Sequence, residues 1–452
     1  MPSALASKRL RLLLLGWLLL SPGLWTRTAW ASAQIIVMGP SSNLPTTNNT
    51  TNYYPLMGIE SSWNTTESSR NAPCGMAGTM TNLRVSITAA SGAGVTRTFT
   101  VRENVGATVL SCAISGASDT SCTDTDSESF TAGAKLAMEM AITGGTAAAA
   151  DAHWTVQLDG STAAESCYSG TNVSGGATAT GTEYYNVARH RDGDSTDALA
   201  AHLVSTGGAW SDLYAELATA PGAGASRVFT VFVEGSGTVV TCTISDAATT
   251  CNDPTNSIAI SEGNTFSIQQ VPSTPTNPAV STSVLIGMVF TATTDGEFLF
   301  PGRDITQSST AATDYLPLMG IVTGTTTETD MSGLAQGMTI TDLNVEIDGS
   351  PGVAPRAYTY TLRQNVGDAS LTCTITAGNT TCAGETDVSI AADDLLAFSV
   401  TPSATAPSGR TPLLCATGFI SQAAGARRVM LISKEETLCD SRFFWRSCPS
   451  RN

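Results

Sequence analysis

The sequence predicts an all-β protein: three tandem antiparallel β-sandwich, jelly-roll-like domains forming a rod. Three observations predict it. Apolar residues alternate with a period of two almost throughout, the mark of half-buried strands. Four landmarks recur at a step of about 130 residues, too long for a solenoid repeat and long enough to bury a core. The chain is rich in Thr, Ser, Gly and Ala with only 13 % charged residues. Such a composition suits strands and turns better than surface helices, whose exposed faces want Lys and Glu.

The first 33 residues read as a signal peptide. Lys8, Arg9 and Arg11 form the basic region, LLLLGWLLLSPGLW the apolar one, and Ala31-Ser32-Ala33 the cleavage site before Gln34. The uninterrupted apolar run, Leu12 to Leu20, is too short for a span of about 20 residues. No later segment reaches that length either, so no membrane span is expected after signal removal.

The landmarks then set the units. Leu83, Leu213 and Leu343 lie in NLRVSI, DLYAEL and DLNVEI, spaced 130 and 130. Phe99, Phe229 and Tyr360, and likewise Cys112, Cys242 and Cys373, are spaced 130 and 131. TNYYPLMG, TEYYNVAR and TDYLPLMG begin at Thr51, Thr182 and Thr313. These define unit one at 34–166, unit two at 167–297, unit three at 298–433 and a basic, Cys-containing tail at 434–452.

Within unit one, Phe99 and Val101 of FTVRENV share a face, as do Leu110, Cys112 and Ile114 of TVLSCAI. Further strands are expected at YYPLMGI, NLRVSIT, KLAMEMAI and AHWTVQL, separated by Gly, Asn, Asp and Ser clusters. A jelly-roll order is preferred; an immunoglobulin-like order has the same pattern. Unit one is expected to end near ESCYSG and unit two near EFLFPG, with QIIVMGP and ARRVMLIS as matching terminal strands. Linkers of a few residues then imply a stiff rod, and exposed apolar end strands imply head-to-tail filament assembly by strand addition.

Export places the cysteines in an oxidising compartment. Cys112–Cys122, Cys242–Cys251 and Cys373–Cys382 read as disulfides, each stapling one hairpin. Cys74 and Cys167, the latter in the ESCYSG stretch read as the end of unit one, are candidates for a fourth bridge, and Cys439 and Cys448 in the tail for a fifth. Cys415, inside PLLCATGF, reads as a buried free thiol, with intermolecular pairing as the alternative. The Asn-x-Ser/Thr triplets at Asn48, Asn49, Asn64, Asn172 and Asn379 mark polar loops.

The three histidines, His153, His190 and His202, belong to no Ser–His–Asp or metal-ligand pattern, and no catalytic motif is present. Neither an enzyme activity nor a cofactor is expected. Asp192, Asp194 and Asp197 form the densest carboxylate cluster and are the candidate calcium ligands, competing with an ordinary acidic turn. Glu67, Glu103 and DTDSES read as solvated loops. Trp63, in SSWNTTESS, is the aromatic free to stack on a sugar, whereas Trp154 and Trp210 fall in strand patterns. A net charge of −16 with three lysines repels phosphate backbones, which argues against nucleic acid.

From the NLRVSI-type strand to the second cysteine, each unit resembles the tandem β-sandwich repeat domains of bacterial surface and phage-associated extracellular proteins. The likeness is clearest in units one and three; unit two replaces YPLMG with YYNVARH. It implies an extracellular structural or interaction role and no active site. The expectation is a secreted structural or adhesive protein that associates with itself, or with a cell-surface or matrix partner. A carbohydrate- or receptor-binding module and a secreted hydrolase are the alternatives.

Overall fold

The computed structural model describes residues 33–41, 43–58, 62–162, 164–172, 176–188, 193–306, 308–405 and 407–420. The rest of the signal peptide, His190, Asp192, ARRVMLIS and the tail with Cys439 and Cys448 lie outside them. Unit one contains β1 (Ala33–Ser41), β2 (Thr51–Pro55), β3 (Ala72–Pro73), β4 (Gly78–Ile87) and β5 (Thr96–Glu103). It continues with β6 (Gly106–Ser115), β7 (Ser121–Phe130), β8 (Lys135–Thr143) and β9 (Ala152–Gly160). One sheet has the order β1-β9-β4-β7 and the other β2-β8-β5-β6, with β3 added to β8. Two four-stranded sheets so interleaved are a jelly roll. The immunoglobulin-like alternative pairs its strands differently and is excluded.

Unit two repeats this plan. Its strands are β10 (Glu165–Asn172), β11 (Glu183–Tyr185), β12 (His202–Leu203), β13 (Gly208–Leu217) and β14 (Gly222–Val233). β15 (Ser236–Asp246), β16 (Thr250–Ile260), β17 (Thr265–Pro272) and β18 (Val284–Ala292) complete it, with one helical turn, α1 (Asp197–Ala200). The sheet orders are β10-β18-β13-β16 and β11-β17-β14-β15. Unit three runs through β19 (Glu297–Asp304), β20 (Asp314–Leu316), β21 (Gly320–Val322), β22 (Gly333–Leu334) and β23 (Met338–Ile347). Then follow β24 (Ala357–Gln364), β25 (Gly367–Thr376), β26 (Thr381–Gly384), β27 (Val388–Ile390), β28 (Leu395–Pro402) and β29 (Pro412–Phe419). Its sheets are β21-β19-β29-β23-β26 and β20-β28-β24-β25.

The alternation read from the sequence is the burial pattern. Phe99, Val101, Leu110 and Ile114 are fully buried, while Val109 between them is 55 % exposed. Aromatic residues fill the sandwiches. Trp154 meets Tyr54 edge-on at 5.4 Å, and in unit two Trp210 packs on Phe266 at 4.2 Å and Phe290 at 5.0 Å. Burying a side chain of that size contributes several kcal/mol, about 25 cal/mol for each Å² removed from water.

Two expectations are corrected by the topology. ESCYSG and EFLFPG open units two and three as β10 and β19; they do not close the preceding units. The units also do not line up as a rod. β3 of unit one packs on β10 and β18, β12 of unit two on β19 and β29, and β22 of unit three returns to β1 and β9. Each unit thus offers the same segment to the next, and the third reaches the first. A head-to-tail contact repeated with a constant rotation closes when the rotation completes a turn. Here it closes after three steps, inside one chain.

Closure also removes the expected filament edge. Gln34, Ile35 and Ile36 of β1 are at most 1 % exposed. β1 pairs with β9 and lies against β10 and β22. The fit is tight at Gly287 of β18, where a Cβ would stand 2.4 Å from the Pro73 carbonyl oxygen of β3. Only glycine admits that approach.

Candidate functional site: the seams between units

Across the seams, side chains read the backbone of the neighbouring unit. The Gln34 amide donates to the Cys167 carbonyl at 2.9 Å and accepts from the Cys167 N–H at 2.8 Å. The Tyr168 hydroxyl does the same to Leu299, donating at 2.9 Å and accepting at 2.6 Å. Cys74 and Cys167 are disulfide-bonded. Because Cys167 lies in β10, the bridge crosses from unit one to unit two and is not internal to unit one.

The Cys112–Cys122, Cys242–Cys251 and Cys373–Cys382 bridges have Cα atoms 5.7 Å apart. They are not staples of a single hairpin. Cys112 lies in β6 and Cys122 in β7, edge strands of opposite sheets, so each bridge closes the open side of a sandwich. In unit one the Ser111 N–H of β6 donates to Asp124 at 2.7 Å, and in unit two the Thr241 N–H donates to Asp253 at 3.0 Å. Carboxylates thereby cover edge donors that would otherwise invite another strand. Asp124 belongs to DTDSES, which is strand β7 and not a loop.

The three seams share positions but not chemistry. At the first, Lys135 meets Glu216 at 2.5 Å and the Tyr214 hydroxyl donates to Glu216 at 3.0 Å. At the second, Asn344 donates to Glu262 at 2.9 Å and Thr206 to Glu297 at 2.6 Å. Cys415 is also there, unbridged and buried beside the Ser205 hydroxyl, and burial pushes its thiol up to about 12. At the third, Arg84 meets Asp393 at 2.7 Å, and Gln336 donates to the Asn82 carbonyl at 2.8 Å.

His153 also lies at the third seam, its Nδ1 2.6 Å from the Ser332 carbonyl oxygen. A carbonyl only accepts, so Nδ1 carries the proton. Burial pushes the imidazole below its ordinary value, against the raising influence of that hydrogen bond and of Asp151. The folded protein therefore takes up the second imidazole proton, on Nε2, less readily than the unfolded chain. The stability it contributes is complete above about pH 6.5 and falls as the pH drops through that value toward the depressed folded one. Unfolding curves measured between pH 5 and 8 should show a smaller acid loss for His153→Gln than for the parent; equal slopes would contradict this role.

A second repeated cluster stands behind the seams. Arg102, penultimate in β5, pairs with Glu67 at 3.0 Å and Glu139 at 3.1 Å and lies 5.7 Å over the Tyr53 ring. Arg363, penultimate in β24, pairs with Glu328 at 2.8 Å and lies 5.8 Å over Tyr315. Glu67 is thus buried by an ion pair and not solvated. Each arginine also donates at 2.5 Å to a turn carbonyl, of Val105 or Val366. Those valines hold φ of 70° and 66°, a region costly for a β-branched side chain. In unit two Phe232 replaces the arginine and packs edge-on against Tyr184 at 5.8 Å, and the turn residue is Gly235. Val105→Gly should stabilise unit one by about 0.5–1 kcal/mol, strain relief outweighing the added unfolded-state entropy. Denaturant unfolding checks this; an equal destabilisation would contradict it.

Between units two and three lies a cleft of about 430 Å³. Its acidic wall carries Asp194, Asp197, Glu346 and Asp348. Leu199, Ile305, Ile347 and Leu413 supply an apolar wall. Arg303, 5 % exposed, donates through Nη1 to the Ala198 carbonyl at 2.9 Å and the Ala201 carbonyl at 3.2 Å. Its Nε–H lies buried without a hydrogen-bond partner. Burial, with the Glu234 charge behind it, raises the Glu346 carboxyl above its usual range.

The residues singled out from sequence are distributed as follows. Trp63 is not free to stack on a sugar: it is 8 % exposed, 5.2 Å from Tyr54 and 6.1 Å from Trp154. Asp194 and Asp197 share the cleft, where Asp197 accepts from the Ser267 hydroxyl. Among the described residues no group of three or more His, Cys, Asp or Glu is placed to hold a metal ion. Arg97, Arg227 and Arg303 were not singled out, because an arginine inside a strand reads as a solvated face and its burial depends on carbonyls distant in sequence.

No family model matches the chain, and no curated protein matches it. A solved structure of Sulfolobus Turreted Icosahedral Virus is similar over 76 % of this chain and 80 % of that one, at 12 % identity. Its TM-score is 0.16, and a likeness of that size carries no argument.

Proposed function

We propose that the protein is a secreted extracellular structural or adhesive subunit, a ring of three jelly rolls that meets surface partners through its outer faces. The observation that carries the reading is the closed ring held by a disulfide across its first seam. Four bridges fit an oxidising, non-cytoplasmic compartment. Among the described residues no helix is long and apolar enough to cross a membrane. The reading assigns no catalytic step. Bonded seams and carboxylate-covered strand edges serve persistence of shape, which a structural subunit needs. Association then uses side chains on the outer faces, since β1 is already engaged inside the ring.

The test is localisation with thiol mapping. Expressed with its own N-terminus, the protein should be recovered outside the cytoplasm with the four described bridges formed and Cys415 reduced. Recovery in the cytoplasm with reduced cysteines and unchanged stability would refute the proposal.

A further inference from the structure

The internal triplication makes the cleft between units two and three interpretable, because each position has two counterparts. Lys135, Thr265 and Leu395 each open the equivalent strand of their jelly roll, as the first residues of β8, β17 and β28. Glu216, Glu346 and Ser86 are each penultimate in β13, β23 and β4. At the first seam the pair is Lys135 with Glu216, an ion pair. At the third it is Leu395 with Ser86, both lining one groove and both neutral. At the second seam the acid is kept and the lysine is gone: Glu346 and Thr265 both line the cleft. Glu346 has no ion pair or side-chain hydrogen bond among the described residues.

A second acid in the same cleft has lost its cation in the same way. Glu67 and Glu328 open short helical turns and pair with Arg102 and Arg363. Asp197 opens the corresponding turn, α1, but the arginine position is Phe232. Two carboxylates whose counterparts are paired with cations therefore line one cavity together, with Asp348 beside them. The apolar residues that line the same cleft suit a methylene chain, as lysine stems use apolar surface. The buried, unpartnered Nε–H of Arg303 adds a donor that requires an acceptor oxygen.

We propose that this cleft binds a lysyl residue of a partner polypeptide. Its ammonium takes the place that Lys135 fills at the first seam, against Glu346 and Asp197. Its stem lies along Leu199, Ile347 and Leu413. A carbonyl oxygen of the same residue accepts from Arg303.

Calorimetric titration of the full-length, oxidised protein with N-acetyl-lysine N-methylamide tests this, with the norleucine analogue and n-butylamine as comparisons. The lysine compound should bind; the norleucine analogue should not; n-butylamine should bind more weakly, lacking the carbonyl. Glu346→Gln should weaken binding about tenfold or more, as loss of a charge-assisted hydrogen bond does. Thr265→Lys provides a variant independent of that acid's folding role. It tethers an ammonium in the cleft, and should abolish binding of the lysine compound while raising the melting temperature. Equal binding of the norleucine analogue, or undiminished binding to Thr265→Lys, would overturn the proposal. Equal binding of n-butylamine would overturn the peptide source. Calcium occupying the cleft in place of the lysine compound would overturn the ligand class.

Discussion

Cys167→Ser is expected to destabilise the oxidised protein by about 4–5 kcal/mol, the largest effect of any cysteine change outside the tail. The bridge to Cys74 spans 93 residues, against 9 or 10 for the bridges within units. In the chain-entropy account a loop of that length restrains the unfolded chain by about 4–5 kcal/mol, whereas the short loops supply about 2–3. The native state should hardly change shape, because Gln34 still reads the Cys167 backbone and Pro73 still sits on Gly287. Cys74, itself 1 % exposed, would become a free thiol that reacts only when the first seam opens. Guanidinium unfolding with parallel thiol labelling measures both. A loss below about 1 kcal/mol, or immediate labelling of Cys74 in the folded protein, would show that the seam is not closed as described.

The second large effect is expected at Arg227, one of the largest fully buried side chains. It donates to the Ala279 carbonyl at 2.8 Å, the Ala177 carbonyl at 3.1 Å and Gln270 at 3.1 Å. It thus ties two loops to one end of the sandwich. Arg97 reaches the corresponding Ala148 carbonyl at 2.5 Å in unit one. In unit three the position is Tyr358, whose hydroxyl donates to the Ser408 carbonyl at 3.1 Å. Burial lowers the pKa of both arginines, which stay charged because their ordinary value is so high. Arg227→Ala removes the donor from the Ala279 carbonyl and the Gln270 side chain, leaves the Ala177 carbonyl only its bond from the Ser281 N–H, and opens a cavity. It should cost about 3–5 kcal/mol. Arg227→Tyr copies the solution of unit three and should cost less than half as much. Chemical denaturation of both variants decides: if tyrosine is no better than alanine, the carbonyl contacts are not what holds the loops.

The sandwiches were legible because their causes are local. Alternation in β5 and β6, the 130-residue step and the Gly, Asn and Asp breaks each follow from the pleat of a strand and the chemistry of a turn. The ring was not legible. Its contacts join residues as far apart as Arg84 and Asp393, 309 positions, and neither residue carries a mark of its partner. Short linkers do imply rigidity, but rigidity sets no direction, and a constant bend closes where a straight join would extend. Assigning ESCYSG to the end of unit one followed from its apolar pattern, which suits a last strand as well as a first. Trp63 and Glu67 misled for a related reason. Their Ser- and Thr-rich surroundings suggest solvent, yet Tyr54 and Trp154 cover one and Arg102 covers the other. The cleft was half visible. Asp194 and Asp197 stood out as a cluster, but Glu346 belongs to β23 of the next unit, and its missing lysine is evident only when the three seams are superposed.

Small-angle X-ray scattering of the mature, oxidised protein tests the closed ring most directly. A single compact body of this length has a radius of gyration of about 22 Å. Three units in a row, each of about 14 Å, would give about 30 Å or more, with a long tail in the distance distribution. The closed arrangement requires a value near the first figure and a single symmetric distance peak. A value near the second would contradict contact between units one and three, and with it the ring.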